Sequence, residues 1–213
     1  MSNPFIVLGG GGHAKVVIDT LLSCRKIVMG YTSINSDMSS NDVLGVPYLG
    51  NDDVVMLRDC NQVFLANGVG SVGSPAVRKK LFSFFDEKGY RFSPIIHPTA
   101  IIGSSEVMIE DGVQIMAGAI IQPGCTIGRN TIVNTKSSID HDCKIGKHVH
   151  IAPGATLSGG VTVGDNVHIG AGAVIIEGIN IGANSIVGAG AVVINDVLES
   201  TTVVGVPARE VAR

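Results

Sequence analysis

The sequence predicts two units of different construction: a small α/β domain over residues 1–95 and a parallel β-helix of about five coils over residues 96–213. Three observations carry this. An aliphatic residue recurs at every sixth position from Ile109 to Val193, fifteen times without a miss. An apolar run, Phe5-Ile6-Val7-Leu8, leads through four consecutive glycines into a stretch with helical spacing, the start of a βαβ unit. The composition is 45% hydrophobic but only 4% aromatic, with no Trp and 28 glycines in 213 residues. A core of Ile, Val and Ala with frequent bends suits a repetitive β architecture better than a helical bundle.

The six-residue series reads Ile109, Ile115, Ile121, Ile127, Val133, Ile139, Ile145, Ile151, Leu157, Val163, Ile169, Ile175, Ile181, Val187 and Val193. A strand alternation or a helical face would drift out of phase well before this. Small residues follow four places on, as at Ala119, Ala155, Ala173 and Ala191. Glycine often follows the aliphatic residue directly, as at Gly128, Gly146, Gly164, Gly170 and Gly182. Six residues make one short strand and a turn, and three such units close a triangular coil of 18. The aliphatic residues point inward and stack one coil upon the next. Five coils at β spacing give a prism roughly 24 Å tall.

The first 95 residues follow other periods. After the strand at Phe5–Leu8 and the turn Gly9 to Gly12, residues 14–23 have helical spacing through Val16, Val17, Thr20 and Leu21. Residues 27–31 read as a second strand, 52–58 as helical, 62–66 as extended, 75–88 as helical with Pro near the start, and 90–93 as a last strand. The expected result is a small Rossmann-like parallel sheet flanked by helices. The boundary falls at Pro94-Ile95-Ile96-His97-Pro98, where two prolines interrupt regular structure.

Bulk properties exclude several classes. The net charge of −3 without a basic run is no nucleic-acid footprint. Cys24, Cys60, Cys125 and Cys143 are scattered with no C-x-x-C, which fits reduced thiols. The N-terminus lacks a signal-peptide layout, and no apolar run approaches the ~20 residues of a membrane span. The expectation is a soluble, cytoplasmic protein without membrane insertion.

Gly9-Gly10-Gly11-Gly12-His13-Ala14 matches G-x-G-x-x-A between a strand and a helix, where backbone N–H groups can cradle a diphosphate. A dinucleotide enzyme would also place an acid about 20 residues on, at the end of the second strand. Tyr31-Thr32-Ser33 stands there instead, and Asp37 comes too late. The nucleotide of a nucleotide sugar is therefore favoured over nicotinamide binding and over a purely packing role. His13 could meet a sugar or phosphate oxygen.

On the repeats, His141 lies between Asp140 and Asp142, two places after an inward residue and so at an outer corner. Flanking carboxylates can orient the ring and raise its basicity, as acyl transfer to an amine or hydroxyl requires of a general base. His150 and His168 are 18 apart and stack on one face of adjacent coils; His150 is half a coil beyond His141, so the two can approach within one chain or across subunits. A zinc site of the carbonic-anhydrase kind is the rival, but the histidine spacing singles out no three ligands, and no metal is expected. Cys143 reads as a small corner residue rather than a nucleophile.

Taken in order, Gly9-Gly-Gly-Gly-His13-Ala-Lys15, Gly45-Val-Pro47 with Leu49-Gly50, Ile96-His97-Pro98, Asn134-Thr135, Asp140-His141-Asp142-Cys143, His150-Ile-Ala-Pro153-Gly154-Ala155, Leu157-Ser-Gly-Gly160 and Val204-Gly-Val-Pro207-Ala-Arg209 resemble the PglD/NeuD family of bacterial sugar acyltransferases, over nearly the whole chain. The resemblance implies that the coil is a left-handed β-helix of hexapeptide repeats and that the protein is a homotrimer. It implies an acetyl-CoA-dependent N-acetyltransferase acting on a nucleotide-linked 4-amino-deoxysugar in surface-glycan biosynthesis, whether O-antigen of lipopolysaccharide, capsule or glycoprotein glycan. By the same resemblance His141 is the general base and Asp142 its support. His150 touches the acyl carrier, Ala171 and Ala189 line the coenzyme A groove, and an amide near Gly159 is the oxyanion donor. Gly11, Gly12 and His13 hold the nucleotide sugar. Many relatives carry an Asp-Asp pair where this chain has Thr32-Ser33, whose hydroxyls would contact the substrate instead. An O-acetyltransferase on a sialic-acid-like sugar and a non-catalytic scaffold are the alternatives.

Overall fold

The computed structural model describes residues 3–34, 42–71 and 75–211. Asp37 lies outside them. The chain forms two compact units, Met1–Pro98 and Thr99–Arg213.

In the first unit, β1 (Phe5–Leu8), β2 (Val28–Thr32), β3 (Tyr48–Gly50) and β4 (Phe64–Asn67) form a parallel sheet in the order β3-β2-β1-β4. β1 is buried along its whole length, as a central strand covered on both faces must be. Helix α1 (Gly12–Ser23) buries Ala14, Val17, Ile18 and Leu21, and α2 (Ala76–Glu87) buries Phe82 and Phe85. The register Leu8↔Thr32 and Leu8↔Asn67 brings three strand ends to one edge, beside the glycine turn. The segment expected to be helical over 52–58 is a 3-10 helix, Asp52–Leu57. The strand expected over 90–93 is reduced to a single bridge between Arg91 and Phe64, because Tyr90 and Phe92 are drawn into the aromatic core beside Phe82 and Phe85. β3, only three residues long, carried no periodic signal.

The second unit is a triangular parallel β-helix. One face stacks Met108–Ile109, Thr126–Ile127, Lys144–Ile145, Thr162–Val163 and Asn180–Ile181. The second stacks Gln114–Ile115, Ile132–Val133, His150–Ile151, His168–Ile169 and Ile186–Val187. The third stacks Ile120–Ile121, Ser138–Ile139, Thr156–Leu157, Val174–Ile175 and Val192–Val193. Partners are 18 residues apart, as Thr126↔Lys144 and His150↔His168 illustrate. Every member of the six-residue series from Ile115 to Val193 is at most 3% exposed. Each buried aliphatic side chain contributes about 1.5–3 kcal/mol, and truncating one such as Ile151 to Ala would cost about 2–5 kcal/mol. The column of small residues is also inward-facing, and Cys125 and Cys143 belong to the same register as Ala119 and Ala155. The coil extends past the regular series with slips: Ile101–Ile102 pairs with Ile120–Ile121, and Thr202–Val204 with Ile186–Val187.

One register escaped the sequence reading. Every sixth residue from Glu106 to Gly190 has positive φ, and Asn130, Lys136, Asp142, His148, Asn166 and Asn184 share it with the glycines. Each corner needs one left-handed residue to turn the chain, and Asn, Asp and His accept that conformation more readily than most. No helix among the described residues is long and apolar enough to cross a membrane.

Candidate functional site

His141 sits on the corner between the third face and the first. Its Nδ1 donates to Asp142 Oδ2 at 2.8 Å, leaving Nε2 free to take a proton. Asp140 Oδ1 accepts from the His141 amide at 2.8 Å and fixes the backbone. The hydrogen bond to Asp142 raises the imidazole pKa above its ordinary value, opposed by partial desolvation and aided by the charges of Asp140, Asp142 and Glu177. Both side chains are solvent-accessible, so the dyad is open to a substrate.

Two glycines one coil to either side make room for this pair. A Cβ on Gly159 would stand 2.6 Å from Cε1 and Nε2 of His141, and one on Gly124 would strike the Asp142 carboxylate. The Cε1–Nε2 side of the imidazole thus lies close against Gly159, which is buried. The Gly159 amide donates no hydrogen bond among the described residues, although its carbonyl accepts from Gly178 at 3.0 Å. A buried N–H without a partner is rare and costly. This one belongs to the glycine that lies against the His141 ring.

Cys143 and Cys125 face inward beneath the corner. The Cys143 thiol donates to Ser158 O at 3.2 Å and that of Cys125 to Asp140 O at 3.0 Å. Contact between the two thiols and burial hold Cys143 protonated, so it serves the corner's packing.

His150 lies on the second face, which is opposite the His141 corner in a triangular prism. Within one chain the two histidines are therefore not brought together. Asn134 Oδ1 accepts from the Thr135 amide, which turns Asn134 Nδ2 toward His150 Nε2 at 3.1 Å, so that nitrogen accepts. His150 is 5% exposed and meets His168 edge-on at 5.0 Å. Burial lowers the His168 pKa, and its Nδ1 has no hydrogen-bond partner among the described residues. Ala171 and Ala189 are exposed and stacked at the corner between the second and third faces, where the Gly190 amide bonds Ala171 O.

In the first unit, Gly9 to Gly12, His13, Ser33, Ile34, Asp52, Gly68, Val69, Gly70, Val77 and Leu81 line a cavity of about 520 Å³. α1 opens onto it without a side-chain cap at Gly11, and the positive end of the helix dipole favours an anion there. A Cβ on Gly11 or Gly12 would meet nothing within 4 Å. Packing does not require glycine there. Thr32, expected among the substrate contacts, is instead fully buried, because it ends a strand inside the sheet. Its hydroxyl donates to Asp52 Oδ1. Ser33 reaches the cavity, with its amide bonded to Gly50 O. The residues that sequence reasoning missed are Asp52 and Arg78. Buried Arg78, its pKa lowered by burial to about 9, donates from one nitrogen to Asn67 O and Val69 O at 2.8 Å and fixes the opposite lip. Neither lies in a motif of fixed spacing. No cluster of three or more His, Cys, Asp or Glu that could hold a metal occurs among the described residues.

Comparison with known proteins agrees with this two-part construction. Residues 4–85 match the PglD N-terminal domain; residues 106–141 and 160–195 match the bacterial transferase hexapeptide (six repeats), and 137–176 the hexapeptide repeat of succinyl-transferase. The chain is similar to PerB from Caulobacter crescentus, solved with CoA and GDP-perosamine, at 36% identity and TM-score 0.90, over 100% of this chain and 99% of the other. A mutant of perosamine N-acetyltransferase from the same organism, with the same ligands, matches at 37% identity and TM-score 0.91, again over 100% and 99%. The acetyltransferase domain of PglB from Neisseria gonorrhoeae, in complex with acetyl coenzyme A, matches at 30% identity and TM-score 0.90, over 99% and 100%. The protein belongs to the PglD-like hexapeptide-repeat sugar acyltransferases, with a left-handed β-helix carrying the transferase half.

Proposed function

We propose that this protein transfers the acetyl group of acetyl-CoA to the amine of a nucleotide-linked 4-amino-deoxysugar, with His141 as general base. The observation that carries the reading is the His141–Asp142 pair lying over the unpartnered Gly159 amide. A sugar ammonium first loses a proton to bulk water. The neutral amine then attacks the thioester carbonyl, and His141 Nε2 accepts the second proton as the C–N bond forms. Asp142 holds the ring's other N–H and stabilises the imidazolium. The Gly159 N–H, beside the ring, donates to the tetrahedral oxyanion. Collapse expels the coenzyme A thiolate, which the imidazolium can reprotonate. No metal and no covalent enzyme intermediate enters this sequence.

The glycine turn, with the uncapped start of α1, would hold the diphosphate. GDP-perosamine is the first acceptor to try, because relatives at 36–37% identity were solved with it. His150 and the Ala171–Ala189 edge would take the acyl carrier. The prism geometry supports a homotrimer: a site using both His141 and His150 must draw them from two copies, and a threefold axis supplies three equivalent sites. The reading places the enzyme in the cytoplasm and in surface-glycan biosynthesis, where nucleotide sugars are donors.

The test is thiol release from acetyl-CoA with GDP-, UDP- and dTDP-linked 4-amino sugars. Release with one of them, falling at least about 100-fold in H141A, supports the reading. Release with none, or an H141A protein of near wild-type rate at saturation, overturns it.

A further inference from the structure

The sequence lacks an acid at the end of β2, where open parallel sheets with a glycine turn place the carboxylate that receives the ribose hydroxyls. The fold supplies one from another segment. Asp52 follows β3, twenty residues after Thr32, and its carboxylate lines the glycine-turn cavity. Thr32, the last residue of β2, pairs with Leu8 immediately before the turn. Its buried hydroxyl donates to Asp52 Oδ1. Asp52 Oδ2 has no hydrogen-bond partner among the described residues. A carboxylate offers about four acceptor sites, and Thr32 uses one. What remains is an acceptor-only group at the edge of the cavity, beside the strand end where a ribose would lie if its diphosphate sits on α1.

We propose that Asp52, positioned by Thr32, accepts the 2′-hydroxyl of the nucleotide ribose and selects ribonucleotide-linked over 2′-deoxyribonucleotide-linked sugars. An ionised acceptor gains from a hydroxyl donor and gains nothing from the hydrogen that replaces it. The preference is therefore for GDP- or UDP-linked substrates over dTDP-linked ones. The threonine acts only through Asp52: it holds one oxygen and so aims the other. This inference rests on the reading of the cavity as a nucleotide site, and it is testable without any acetyl transfer.

The experiment is calorimetric titration of the full-length protein with GDP and with 2′-deoxy-GDP, on wild type, D52N, T32V and T32S. The wild type is expected to bind GDP about tenfold or more tightly than the deoxy form. In D52N that ratio is expected to collapse toward one, chiefly through weaker GDP binding. T32V should reduce the ratio and T32S restore it, a pattern that loosening of the fold would not produce. Thermal unfolding of each variant checks that it is folded. A wild-type ratio near one, or an undiminished ratio in folded D52N, overturns the proposal. Where the wild type binds neither, UDP and 2′-deoxy-UDP are titrated in the same way, and failure with that pair as well overturns both the proposal and the cavity's assignment. A protein that shows the ratio and its loss, yet releases no thiol with any amino sugar, would sink the acetyl-transfer reading and leave the Asp52 proposal standing.

Discussion

Gly159→Ala tests the proposed catalytic role of the His141 corner with a single methyl group. Gly159 does not have positive φ, so alanine fits its backbone without strain. The new Cβ would stand 2.6 Å from His141 Cε1 and Nε2, against a comfortable separation of about 3.5–4.0 Å. The imidazole must retreat by about 1 Å. It is the far end of an accessible side chain, so it can swing away at little cost to folding. An off-rotamer ring costs about 0.5–1.5 kcal/mol, which shifts Tm by at most about 6 °C in a chain of this size. The same movement stretches the 2.8 Å bond to Asp142 beyond hydrogen-bond length and carries Nε2 away from where the proposed mechanism needs it. A misplacement of about 1 Å in a catalytic group lowers rate about 10²-fold. The assay is steady-state thiol release at saturating acetyl-CoA with an accepted amino sugar, beside a melting curve. A folded G159A protein with kcat within about threefold of wild type would refute the steric argument and, with it, the placement of the base over this glycine.

Three further outcomes follow from the same geometry. In D142N the negative charge is lost and the charge-assisted hydrogen bond that raises the His141 pKa becomes at most a neutral one, so that pKa falls. If His141 is the general base, its neutral imidazole is the active form, so the limb of kcat/KM that rises with pH should move to lower pH, while the plateau drops by about ten- to a hundredfold; a limb that stays in place would separate it from His141. Gly12→Ala meets no atom within 4 Å, so the variant should be as stable as wild type or more stable by about 0.4–1 kcal/mol in chemical denaturation, yet show a raised KM for the nucleotide sugar; an unchanged KM would mean that no ligand approaches that backbone. His168 has a pKa lowered by burial, so the unfolded chain binds its proton more readily. Its contribution to stability is present above the unfolded value near 6.5 and is lost as pH falls below it. His168→Gln should flatten the acid side of the stability–pH curve, which urea unfolding at pH 5 and pH 7.5 would register.

The regular part of this protein was legible because each coil repeats one physical requirement. An aliphatic residue every six positions can only fill the axis of a prism, and Ile115 to Val193 do so. His141 was legible because two acids flank it in sequence, and a neighbour on a corner can reach its ring. The left-handed turn register was harder to read, since Lys136, Asp142 and His148 occupy it along with glycine. The expected strand over 90–93 failed because aromatic packing around Tyr90 and Phe92 outweighed strand pairing.

The two-part architecture, the glycine turn and the acidic histidine corner can be read along the chain, since each depends on neighbouring residues or on a strict period. Folding in three dimensions was needed to bring a glycine against His141 and a carboxylate to the place of the missing acid of β2. Gly159 comes under the ring because it is 18 residues on, one full coil. Asp52 comes to the end of β2 because β3 pairs with β2 and delivers the next turn beside Thr32. These contacts are set by stacking and strand pairing between residues about twenty apart, and no local pattern encodes which side chain arrives.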